Sequence, residues 1–169
     1  MSLNEAQLMK SRLPNGLSLS AAQDRARRLS RVVIVRTLWY PEILAGLETS
    51  AREYLGTLGV PAHKIQTVEV PGSFELPLGV QQEIEREPTD FVISLGCIVR
   101  GGTPHFDYVS RAAVDGLMKV SLEKRIPVGL GVLTVDDLAQ AQARLEKGAE
   151  AAQAAFFLWL QSYQAGRGA

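Results

Sequence analysis

The chain has one cysteine, two histidines and no excess of charge of either sign; Lys and Arg total 18 among 169 residues, as do Asp and Glu. The single thiol, Cys97, excludes an intrachain disulfide framework and any CxxC metal site, and it fits a reducing compartment. Balanced charge gives no field to draw in a polyanion, and no run of like charge reads as a nucleic-acid arm. Long apolar runs are missing too. "AAFFLWL" (Ala154–Leu160) is soon interrupted by Gln161 and Ser162, far short of the ~20 apolar residues of a membrane span. The first 30 residues are polar, basic and rich in Ser and Arg, with no apolar stretch fit for a secretion signal. These absences point to a soluble, cytoplasmic protein that engages a small neutral or anionic molecule rather than nucleic acid or membrane.

What is present is a regular alternation. "RVVIV" (Arg31–Val35), "IQTVEV" (Ile65–Val70), "DFVISLG" (Asp90–Gly96) and "IPVGLGVL" (Ile126–Leu133) read as strands. Between them, Ile43, Leu44, Leu47, Ala51, Tyr54, Leu55 and Leu58 recur at helical spacing behind Pro41 and ahead of Gly59. Further helices are expected over Leu78–Glu85, Pro104–Glu123 and, as one or two pieces, Asp136–Gln164. Parallel strands need crossover connections, and helices supply them, so the pattern predicts a doubly wound α/β domain. Residues 31–164 form that domain; residues 1–30 read as a flexible N-terminal arm and residues 165–169 as a C-terminal tail.

In such a sheet, ligands bind beyond the carboxyl ends of the strands. The segments there are "TLWYPE" (Thr37–Glu42), "PGSFELP" (Pro71–Pro77), "CIVRGGTPH" (Cys97–His105) and "TVDD" (Thr134–Asp137). In the third, Thr103 has an N-cap side chain, Pro104 suits the first helical position, and Gly101 and Gly102 permit close approach of a ligand. A helix N-terminus built this way is an anion site, to which Arg100 would add charge; a capped turn without a ligand is the competing reading. His105, in the first turn, is disfavoured in its charged form by the macrodipole, which suits an acid/base group. His63, in "PAHK", reads as structural. Trp39 and Tyr40 offer a stacking face for a planar heterocycle, or else packing. Glu75, in a Pro-bounded turn among apolar residues, needs a partner that a ligand hydroxyl or a backbone N–H would supply. Cys97 reads as a small buried apolar residue, and Arg144 and Lys147 as cations at the end of a helix.

Together, "VEVPGSFELPLG", "ISLGCIVRGGTPHFDYVS", "PVGLGVLTVDDLAQAQAR" and "KGAEAAQAA" resemble the lumazine synthase family, in order and spacing, over nearly everything from Arg31 to about Leu160. The resemblance implies a three-layer α/β/α fold with a four-stranded parallel sheet of flavodoxin-like, lumazine synthase type. It implies condensation of 5-amino-6-(D-ribitylamino)uracil with 3,4-dihydroxy-2-butanone 4-phosphate to 6,7-dimethyl-8-ribityllumazine, without metal or redox cofactor. It also implies pentamers, in some relatives assembled into shells, with active sites between subunits.

By the same resemblance, Trp39 falls where an aromatic stacks on the pyrimidine, and Ser73, Phe74 and Glu75 where the ribityl chain is bound. Cys97, Ile98 and Val99 fall where backbone groups meet the ring. Gly102 and Thr103 fall at the phosphate, with Arg144 as its cationic clamp, and His105 on the residue assigned proton transfer. Three departures stand out. Tyr40-Pro41 replaces a common Asn after the aromatic; Leu130 stands where an aromatic from the adjacent subunit often closes the site; and only Leu145-Glu146 separates Arg144 from Lys147. A noncatalytic or weakly active, flavin- or lumazine-binding, cage-forming paralogue is the alternative these departures leave open.

Overall fold

Apolar runs without polar alternation belong in the middle of a parallel sheet, covered on both faces. The computed structural model, which describes residue 13 and residues 16–164, places β1 (Val32–Thr37) and β3 (Phe91–Val99) there. The edges are β2 (Ile65–Val70) and β4 (Val128–Val135), in the order β2-β1-β3-β4. All three pairings are parallel, with Val32 opposite both Ile65 and Phe91, and Val99 opposite Val135. Along β4 buried positions alternate with more exposed ones, whereas β2 buries only its ends, Ile65 and Val70.

The period of two along each strand sorts the core into two layers. On one side Val32, Ile34, Phe91, Ile93, Leu95 and Cys97 meet α2 (Pro41–Thr57) and α6 (Lys147–Gln164). On the other, Val33, Val35 and Val92 meet α3 (Leu76–Arg86) and α4 (His105–Lys124). A short α5 (Leu138–Gln142) joins β4 to α6. Within the first layer, Phe91, Phe156 and Trp159 form an aromatic cluster with ring centroids 5.6 to 6.4 Å apart. The three-layer α/β/α arrangement expected from the alternation is therefore the one observed. No helix among the described residues is long and apolar enough to cross a membrane.

One expectation needs correction. The arm assigned to residues 1–30 is not loose throughout, because Leu19–Ala26 form a helix, α1, whose Ser18 N-cap hydroxyl accepts from the Ala21 N–H at 3.1 Å. Ala22, Ala26 and Leu29 are fully buried in the first core layer. Asp90 fastens the join: its carboxylate accepts from the Ser30 and Arg31 amides at 2.6 and 3.0 Å, and from the Trp159 indole N–H at 3.2 Å. Small alanines among arginines carry this burial, so the segment's mean polarity concealed its apolar stripe. The N-terminal part of the expected arm, residues 1–12, 14 and 15, and the tail at 165–169 lie outside the described residues.

The strands also run further than their β-branched runs suggest. β3 continues through Cys97, Ile98 and Val99, paired with Leu133, Thr134 and Val135. These residues are thus a rigid strand end and not a loop. That extension carries the strand backbone up to the rim where a ligand would sit.

Candidate active site

The exits of β1, β2 and β3 build a single cavity of about 720 Å³, within the usual range for small-molecule sites. At the end of β1, the Leu38 amide donates to the Val70 carbonyl at 3.1 Å and so ties the first exit to the second. Trp39 follows, two-thirds exposed, and Tyr40 turns the chain into α2 with Pro41 as the first helical residue. The two rings lie 6.4 Å apart with their planes at 53°. Both line the cavity.

After β2, Ser73–Glu75 form a 3-10 turn closed by the Glu75 amide on the Gly72 carbonyl at 3.2 Å. Gly72, ahead of the turn, stands between two of the cavity's side chains. A Cβ there would stand 3.1 Å from the Glu75 carboxylate and 3.7 Å from the Trp39 indole. The missing side chain thus leaves bare backbone beside both the carboxylate and the indole. Ser73 is buried and Phe74 is 64% exposed, its ring offered to the cavity.

After β3, Cys97 and Ile98 lie buried in the wall and Val99 is partly exposed. Burial pushes the Cys97 thiol up to about 11, so it is no nucleophile at neutral pH. The loop Gly101–Pro104 is exposed throughout. The expected Thr103 cap is not made: α4 begins at His105, Pro104 holds the N-cap position, and no side-chain cap bond forms. The proline ring fixes the turn geometry that a capping hydroxyl would otherwise select, and the Asp107 amide closes on the Pro104 carbonyl at 3.0 Å. The Thr103 side chain is therefore spared for the cavity, which it and His105 both line. The His105 and Phe106 amides, which open α4 ahead of that bond, occupy positions with no carbonyl one turn back to receive them.

Arg100 does not supply the free charge expected of it. Its Nε donates to Asp136 at 3.0 Å, an Nη reaches Asp107 at 3.4 Å, and the guanidinium lies over the Phe106 ring. The side chain is committed to holding the loop rather than facing a ligand.

Of the residues expected at the site, the cavity collects Trp39, Ser73, Phe74, Glu75, Cys97, Ile98, Val99, Thr103 and His105. Gly102 stands in the loop but not on the cavity wall. Leu130 and Arg144 lie elsewhere, lining a second cleft of about 240 Å³ along β4 and the start of α6. Arg144 donates to the Gln140 carbonyl at 2.7 Å, the C-terminal compensation its position suggested. Lys147 stands at the N-terminal and not the C-terminal end of a helix, opening α6, where Glu150 pairs with it at 2.7 Å. The cleft is held in place from α2. Leu145 fills the space a side chain on Gly46 would need, Gly148 lies against the Leu47 backbone, and the Ala149 amide donates to Ser50 Oγ at 3.0 Å.

Phe106, Tyr108 and Val109 also line the main cavity. Nothing in the sequence singled out Phe106 or Tyr108 beyond their following His105 in the chain. His63 lies in the turn entering β2, at the opposite end of the sheet from the cavity. Among the described residues no group of three His, Cys, Asp or Glu side chains could hold a metal ion.

Comparison with known proteins adds an independent line. The family model described as 6,7-dimethyl-8-ribityllumazine synthase matches residues 30–161. The 6,7-dimethyl-8-ribityllumazine synthase of Leifsonia xyli subsp. xyli is 48% identical over 150 residues, covering 82% of this chain and 92% of the relative. Those of Kineococcus radiotolerans and Clavibacter michiganensis subsp. michiganensis are 45% and 46% identical over 132 residues, each covering 74% of this chain and 80% of the relative.

Proposed function

The chain belongs to the 6,7-dimethyl-8-ribityllumazine synthase family, and from that premise we propose that its rim cavity joins 5-amino-6-(D-ribitylamino)uracil to 3,4-dihydroxy-2-butanone 4-phosphate. The protein is a transferase of riboflavin biosynthesis. Trp39 stacks on the pyrimidine, Ser73, Phe74 and Glu75 take the ribityl chain, and the backbone at Cys97, Ile98 and Val99 meets the ring edge. Gly102 and Thr103, beside the open N-terminus of α4, receive the phosphate. His105 carries protons during imine formation, phosphate elimination and ring closure. Most of the acceleration comes from aligning amine and ketone, which makes a bimolecular encounter effectively intramolecular. The histidine adds the smaller acid/base factor.

The observation that carries this reading is the separation of two half-sites. Trp39, Glu75 and His105 line one cavity, while Leu130 and Arg144 line another. Both halves are used if one subunit presents its cavity to the β4 cleft of the next, so that Leu130 closes the heterocycle's site and Arg144 clamps the phosphate. A ring of subunits satisfies this head-to-tail contact, and a pentamer is the assembly proposed. The relatives named above are synthases, which weighs against the noncatalytic alternative. Supplying both substrates and following the lumazine chromophore tests the reading. Product above the uncatalysed background supports it; tight binding of a product analogue with no product formed sinks it.

A further inference from the structure

Tyr40 and Arg125 are the two non-glycine residues with positive φ among the described residues. Arg125 follows the last turn of α4, where a left-handed residue commonly ends a helix. Tyr40 stands at the start of α2 with φ 57° and ψ 61°. Gly, Asn or Asp adopt that conformation at little cost, but a bulky aromatic does not. Its side chain makes no cap hydrogen bond that would explain the choice.

The position of Tyr40 does explain it. The residue packs against the first core layer on one side and lines the cavity on the other. Trp39, 66% exposed, has much less support. With centroids 6.4 Å apart and planes at 53°, the two rings make an angled corner rather than a stack. We propose that Tyr40 is a specificity-determining residue, the fixed second wall of an aromatic corner that grips a planar heterocycle, with the left-handed turn as the strained backbone that holds it there. This rests on the reading of the cavity as the heterocycle's site. A contact of this kind favours the bound heterocycle by roughly 3- to 10-fold, and the phosphorylated ketone, which has no aromatic face, does not share in it.

The test uses Tyr40→Asn, which suits the backbone but removes the ring, and Tyr40→Phe, which keeps it. Calorimetric titration with 6,7-dimethyl-8-ribityllumazine is paired with KM for each substrate and with Tm. Tyr40→Asn is expected to weaken lumazine binding and raise KM for the pyrimidine by roughly 3- to 10-fold, with KM for the ketone phosphate lagging behind. Its Tm stays at or above that of the parent, and Tyr40→Phe keeps the parent affinity. Parent-like lumazine affinity in Tyr40→Asn overturns the proposal, as does an equal rise in both KM values. So does a lowered Tm without a binding defect, the mark of a packing residue. A parent protein that binds lumazine but forms none refutes the proposed activity instead, and leaves the binding comparison intact.

Discussion

The guanidinium carbon of Arg100 lies 4.1 Å from the centroid of the Phe106 ring. The residue leaving β3 thus grips the first turn of α4, and the loop between them, Gly101 to Pro104, is spanned by that contact. Arg100→Ala should change stability by less than about 1 kcal/mol, since its ion pairs with Asp107 and Asp136 are half or more exposed. KM for the phosphorylated ketone should nevertheless rise by roughly 5-fold, because a loosened cradle misplaces the substrate. Urea unfolding and steady-state kinetics separate the two, and an unmoved KM would reduce Arg100 to a surface charge.

His105→Ala should lower kcat on the order of 100-fold while binding of a product analogue is retained. Orientation by the rest of the cavity keeps the residual rate above background. A fully inactive variant with normal ligand affinity would mean that proton transfer outweighs alignment.

Arg144→Ala should act mainly on KM for the phosphorylated ketone. Because Arg144 and His105 line different clefts, the shared-site proposal predicts complementation. Co-assembled His105→Ala and Arg144→Ala chains should regain roughly a quarter of parental sites on random pairing. Mixed oligomers no more active than the two parents' average would place both residues in one subunit's site.

Asp90→Ala should destabilise the fold by about 1–3 kcal/mol, since it removes the charged acceptor shared by the Ser30 and Arg31 amides and the Trp159 indole N–H. Urea unfolding at fixed protein concentration checks this. A change under about 0.5 kcal/mol would mean that α1 and α6 hold the join without it.

Cys97 should resist alkylation in the native protein at pH 8 and react fully once unfolded. Its thiol is held up to about 11 by burial, so between the ordinary thiol pKa and that value the unfolded chain sheds a proton the native state keeps. This contribution to stability is present below the unfolded thiol pKa and falls away as pH rises through the window. Rapid native labelling would show that the strand end opens.

The central sheet was legible because Val32–Val35 and Phe91–Ile93 are apolar without alternation, a pattern suited to doubly covered strands. The cavity-lining loops were legible because proline and glycine mark them. Three features were not. α1 buries alanines, which carry little hydrophobic signal. Thr103 has a capping side chain, but Pro104 fixes the turn by ring geometry and leaves the hydroxyl unused. Lys147 was read from a run without helix punctuation, and the break before it comes from Leu145 docking over Gly46, a tertiary contact with no local signature.

The chain's two tryptophans occupy opposite environments. Trp159 is buried in the aromatic cluster and hydrogen-bonded to Asp90, while Trp39 is exposed at the cavity mouth. Their intrinsic fluorescence is therefore divided by function. On the proposed reading, a heterocycle entering the cavity should quench the emission of Trp39, and loss of the core should shift that of Trp159 to the red. Occupancy and unfolding should thus leave different marks on the emission of one unlabelled sample.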